Sequence, residues 1–177
     1  MQTSSDFYLA LLAEQERVRG NHVAGVRTVL VVLSAAAMVS DTDALRHKVL
    51  SAYPDAAVFF ATTQGKPLGA PAPQTVDLMI DMTGPGQRQG IFFAKKLRRM
   101  ARVAIGRNAG LFRKRIYDRV CDEKQKQAQL PRETLARERE VQRQVLALAG
   151  VASVPSADAG PDRGQTIALE LPPMAKL

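Results

Sequence analysis

Apolar residues come along this chain in short unbroken blocks, separated by stretches in which they recur at helical spacing. That alternation predicts strands covered on both faces, joined by helices. The clearest block is Arg27-Thr-Val-Leu-Val-Val-Leu33, β-branched and without polar alternation. It reads as the first core strand of a parallel sheet. Ala56-Ala-Val-Phe-Phe-Ala61 and Val76-Asp-Leu-Met-Ile-Asp81 predict a second and a third strand, and Arg102-Val-Ala-Ile105 a short fourth one ended by Gly106.

Helical spacing fills the intervals. Ser4, Ser5 and Asp6 can cap an amphipathic leading helix through Phe7, Leu9, Leu11, Leu12 and Val18 that stops near Gly20. Ser40 to Asp43 can cap a second helix built on Ala44, Leu45, Lys48, Val49 and Ala52, with Pro54 as its stop. Ile91, Ala94, Leu97 and Ala101 fall on one face of a basic helix spanning Ile91 to Arg102. Pro131 opens a last helix with a stripe of Leu135, Val141, Val145, Leu146 and Leu148, terminated at Gly150. Gln64 to Gln74 reads as loop, and Leu111 to Val120 as loop with a short extended piece. After a linker-like stretch from Ser153 to Gln165, Thr166 to Leu171 can form an edge strand.

This order predicts an α/β fold: a single open, mostly parallel sheet with helices on both faces. The expected organisation is a leading helix (1–26), a Rossmann-like domain (27–151) and a tail (152–177). In such sheets ligands gather outside the carboxyl ends of the strands, which directs attention to 34–43 and 83–89.

Composition narrows the class. An apolar share of 46% with 24% charged residues suits one folded domain, and 5% aromatics without Trp predicts an aliphatic core. Cys121 is the lone cysteine, so no internal disulfide forms, and a reducing, cytoplasmic compartment fits. Asp6, Glu14, Glu16 and Arg17 interrupt the first apolar stretch, against a signal peptide. The longest apolar run, Val29 to Val39, is too short to span a bilayer.

Charge is where the chain departs from the ordinary. Between Arg88 and Arg119 lie eleven Lys or Arg residues and one acid, Asp118, so this segment carries +10 in a chain whose net charge is +8. A local block of that density predicts a face for phosphate, carboxylate or an acidic partner, with a plain solvated surface as the competing reading. Phe112 and Tyr117 among its basic residues suit nucleic acid as the alternative partner, although no RRM, KH or helix-turn-helix motif is present. Phe92 and Phe93 beside Lys95 and Lys96 also suit contact with a membrane surface.

Other candidates are thinner. His22 and His47 have no neighbouring ligand cluster, so no metal site is expected. Asp77 and Asp81, at the two ends of the third strand, are weighed as an acid–base pair and read as turn caps or Arg partners. The run Arg132 to Arg143 reads as a solvent face with pairs such as Glu133 and Arg137. The Gly84 to Gly90 turn lacks phosphate-loop spacing, and no cofactor is expected.

From Arg27 to Val151 the order of features resembles the amino-terminal, acceptor-side half of the lipopolysaccharide heptosyltransferases. The pieces are Thr28 to Ser34, Ala44-Leu-Arg46, Ala52-Tyr-Pro-Asp-Ala56, Val76 to Gly84, Arg102 to Gly106 and Leu135 to Gly150. The resemblance implies binding of a phosphorylated or otherwise anionic saccharide or lipid acceptor, with Arg88, Lys95, Arg99, Arg107 and Arg113 as the anion-binding residues. It also implies a cytoplasmic location, peripheral to the inner membrane. The family's catalytic carboxylate follows the first strand, where this chain has Ser34 to Ser40 without an acid. Asp41 is the nearest carboxylate, so no catalytic residue is assigned. The resemblance covers no donor-binding half, and it implies that a separate chain or self-association completes the cleft.

Overall fold

The computed structural model describes residues 4–33, 42–83, 95–96, 98–108, 115–122 and 131–152. They form helix α1 (Ser4–Gly20), strand β1 (Thr28–Leu33), helix α2 (Thr42–Ala52), strands β2 (Ala57–Thr62), β3 (Pro67–Leu68), β4 (Val76–Asp81), β5 (Ala101–Asn108) and β6 (Arg119–Asp122), and helix α3 (Pro131–Leu148). The strands make one six-stranded sheet in the order β3-β2-β1-β4-β5-β6. All neighbours run parallel except the short β2–β3 return. The chain therefore has the α/β, Rossmann-like arrangement expected from its alternating pattern.

The centre of the sheet follows directly from sequence. Val29 to Leu33 are all buried, Val29 and Val31 completely, because β1 is flanked by β2 and β4 and covered on both faces. On one face Val29, Val31, Phe60, Leu78, Ile80 and Ile105 meet Val49 and Tyr53 from α2 and its exit and Val141, Val145 and Leu146 from α3. On the other face Leu30, Val32, Met79 and Ala104 meet Ile116 and Tyr117, with Met100 against them. The last two groups come from the short segments flanking β5.

Three expectations change. The basic helix does not reach Arg102: Lys95, Lys96 and Arg98 are helical, Arg99 and Met100 turn, and β5 begins at Ala101. Pairing Val76 with Ala101 and burying Ala101 and Ala104 outweighs the helix preference of Ala and Arg there. Gly106 does not end the strand, which continues to Asn108. Its missing side chain makes room for Tyr117, since a Cβ at Gly106 would stand 2.5 Å from Tyr117 Cζ. Finally, the loop Gln64 to Gln74 contains a short strand, β3, while the extended piece expected in 111–120 is the start of β6, which runs on to Asp122.

The leading helix forms over the expected span, but its apolar residues are not all spent on the core. Val18 is buried, whereas Tyr8, Leu9 and Leu12 are 64%, 63% and 57% exposed. The segment after it packs well: Val23 and Val26 join the core, and Gly150 has φ +73° with its α-carbon side pressed on His22, so that a Cβ would lie 2.7 Å from His22 Cα. The expected linker and edge strand, 153–165 and 166–171, and the first residues of the basic helix, 91–94, lie outside the described residues.

Candidate functional site

The eleven cations of the basic block are not one surface. Arg98 donates to the Ala101 carbonyl and pairs with Asp118, both at 2.8 Å. Arg102 donates to the Ala24 carbonyl at 2.7 Å and stands 3.7 Å from Asp77. Arg119 donates to the carbonyls of Asn21 and Leu148, which ties β6 to the ends of α1 and α3. Arg107, only 3% exposed, makes a two-pronged pair with Glu138 at 2.6 and 3.0 Å and donates to the Met82 carbonyl. Arg102 is tethered at the Ala24 carbonyl with half its side chain exposed, and Arg98, Arg107 and Arg119 serve as struts. Planar forks suit this use because each satisfies several carbonyl or carboxylate oxygens at once.

Lys95, Lys96, Arg99 and Arg115 are the exposed remainder among the described residues. They sit on the segments entering β5 and β6, which the Arg98–Asp118 pair stitches together; Asp118 also accepts from the Ala104 amide at 2.8 Å. These are the segments that carry Met100, Ile116 and Tyr117 onto the sheet face opposite α2 and α3. Of the five expected anion-binding residues, the structure exposes Lys95 and Arg99 and turns Arg107 inward onto Glu138. Arg88 and Arg113 lie outside the described residues, as does Asp41.

The carboxyl ends of β4 and β5 hold the most buried charges. Asp81 is 1% exposed; it accepts from the Thr83 amide at 2.8 Å through Oδ1 and from the Tyr117 hydroxyl through Oδ2. Both carboxylate oxygens are therefore engaged by this chain. Tyr117 is itself buried against Gly106, so it offers no face for base stacking. Asp77 belongs to the other edge of the sheet. Its Oδ2 accepts from the amides of Arg27 and Thr28 and from the Thr28 hydroxyl at 2.9–3.0 Å. Those donors, the Arg27 amide foremost and Arg102 in addition, hold its carboxyl below the ordinary range despite some desolvation. Asp77 and Asp81 consequently occupy opposite ends of a six-residue strand and do not form an acid–base pair.

No known protein family, curated protein or solved structure matches this chain.

The remaining candidates have structural duties. His22 stacks on Tyr53 with ring centres 4.6 Å apart and contacts the Ala52 carbonyl through Nε2. Cys121 is buried with its thiol 3.3 Å from Gln144 Oε1. Among the described residues no group of three His, Cys, Asp or Glu side chains could hold a metal ion. No helix among them is long and apolar enough to cross a membrane. The run on α3 is more than a solvent face, because Glu138 reaches Arg107 and Arg143 pairs with both Glu140 and Glu14 of α1. Asp77, read from sequence as a turn cap or Arg partner, stands beside Arg102, while the partners of Arg107 and Arg119 lie too far along the chain to be read from spacing.

Proposed function

We propose that this chain is an anion-binding α/β module, comparable to the acceptor-side half of a lipopolysaccharide-type glycosyltransferase, that holds a phosphorylated saccharide or lipid and does not by itself transfer sugar. The observation that carries the reading is the division of the basic block. Arg98, Arg107 and Arg119 are consumed as struts, while Lys95, Lys96, Arg99 and Arg115 stay exposed on adjoining segments that an ion pair fixes in place. Cations held on a folded surface and not spent on their own chain suit recruitment of phosphate. Binding and not turnover is the claim, because Asp81 and Asp77 are each engaged by donors of this chain at separate edges of the sheet. The same chemistry suits a cytoplasmic protein working beside the inner membrane, where phosphorylated lipids are presented.

Nucleic acid is the weaker reading, since Tyr117 is buried with its hydroxyl on Asp81. Titrating the purified chain with phosphorylated core oligosaccharide and with single-stranded RNA at several salt concentrations separates the two. Saturable, salt-sensitive oligosaccharide binding is expected; RNA binding with a steep salt slope and indifference to the oligosaccharide would refute the proposal.

A further inference from the structure

The two edges of the sheet treat their arginines differently. At the carboxyl edge Arg107 is closed off by Glu138 and the Met82 carbonyl. At the amino edge, where β1, β4 and β5 begin, an open cleft of about 600 Å³ lies between the strand starts and the turn preceding β5. Pro73, Val76 and Met100 supply apolar wall, Thr75 supplies a hydroxyl, and Arg99 and Arg102 line the same cleft. This volume is in the range of small-molecule sites and exceeds what a bare anion fills.

The charges in the cleft do not cancel. Arg99 is exposed with no ion pair or hydrogen bond to the described residues, and Arg102 is half exposed with its reach set by the Ala24 carbonyl. Asp77 is the single opposing charge; its Oδ2 is taken by the Arg27 and Thr28 donors, and its Oδ1 stands 3.7 Å from Arg102. Two guanidinium groups against one carboxylate leave the cleft at a net charge of +1. An anion with a partly apolar body therefore fits better than either a bare ion or a neutral sugar.

The geometry points to this amino-edge cleft as a phosphomonoester site, in which Arg99 and Arg102 take the phosphate and the Pro73–Met100 wall takes the attached carbon skeleton. This rests on the anion-binding reading above and gives it a location, with Arg102 added to the residues expected from sequence. It also separates Arg99 from Lys95, Lys96 and Arg115, which do not line the cleft.

The test is an amide-resolved NMR titration of the full chain at constant ionic strength, with inorganic phosphate, glucose 6-phosphate, and phosphatidylcholine vesicles doped with phosphatidic acid. Saturable shifts are expected at Thr75, Val76, Ala101 and Arg102. A response to the soluble ester or to the vesicles identifies the source of the phosphate, and a response to none of the three probes overturns the site. Arg99→Ala, at an exposed position, should weaken phosphate binding roughly tenfold, and Lys48→Ala, exposed on α2 away from the cleft, should leave it unchanged. Asp77→Asn should strengthen it by removing the opposing charge. Equal losses from Arg99→Ala and Lys48→Ala would show diffuse attraction and overturn the proposal. If phosphate saturates the cleft while phosphorylated core oligosaccharide is ignored, the cleft stands and the function reading falls. If the oligosaccharide binds Arg99→Ala as well as wild type, the function reading stands and the cleft falls.

Discussion

Single side chains hold this molecule together at points where the chain changes direction. Tyr53 leaves α2 and is buried; its hydroxyl donates to the Ala149 carbonyl at 2.6 Å and accepts from the Val23 amide at 3.1 Å. Tyr53→Phe should cost about 2 kcal/mol, read as a lower midpoint in urea unfolding, because it leaves a buried amide and carbonyl short of a partner. Burial also raises the Tyr53 phenol above its ordinary value. Its contribution is complete below the unfolded tyrosine pKa and is lost as pH climbs through the raised folded value. Gly106 is the second such point. Gly106→Ala should destabilise by about 1–3 kcal/mol, since the added methyl meets the Tyr117 ring and its neighbours have little room to give. Asp77 works in the opposite pH direction. With its carboxyl held low by the Arg27 and Thr28 donors, its contribution is present above the ordinary carboxylate pKa and is lost as pH falls through the depressed folded value. Acid unfolding of Asp77→Asn should therefore begin at the same or lower pH than its neutral-pH stability loss alone predicts, because that titration is gone.

Elements differ in how firmly they are bound. β1 was legible from seven residues because burial on both faces leaves an apolar run with no alternation to misread. β5 was half legible: the Ala101-Arg-Val-Ala pattern suits a helix or a strand, and the parallel register with β4 decides it. β6 was legible only as a short extended piece within 111–120, because Arg119-Val-Cys-Asp122 is brief and its bounds are set by pairing with the far half of β5. α1 leaves large apolar side chains exposed. Among its described side chains, Val18 and the Glu14–Arg143 pair reach the body, while Tyr8, Leu9 and Leu12 face outward. Leu9→Ser together with Leu12→Ser should consequently change stability by under about 1 kcal/mol, whereas Leu78→Ala, fully buried, should cost about 2–5 kcal/mol by thermal or denaturant unfolding.

Across the whole molecule the basic block supplies struts, and under the proposed function it supplies the docking cations as well. Sequence shows its density but not its partition, because a strut and a docking residue are the same amino acid until the distant carbonyl or carboxylate is located. Asp118 lies within the block and hints at one pair; Ala24, Glu138 and Leu148 lie 78, 31 and 29 residues from the arginines they receive. The measurement that tests this partition most directly compares two sets of variants for unfolding midpoint and for affinity toward phosphorylated core oligosaccharide. Neutralising Lys95, Lys96, Arg99 and Arg115 together to Gln should leave the midpoint near that of the parent chain and weaken binding at least about tenfold, the loss of Arg99 alone accounting for that factor. Single replacement of Arg107 or Arg119 by Gln should instead lower the midpoint. Parental affinity in the fourfold variant, or a midpoint indifferent to the loss of Arg107 and Arg119, would contradict the account.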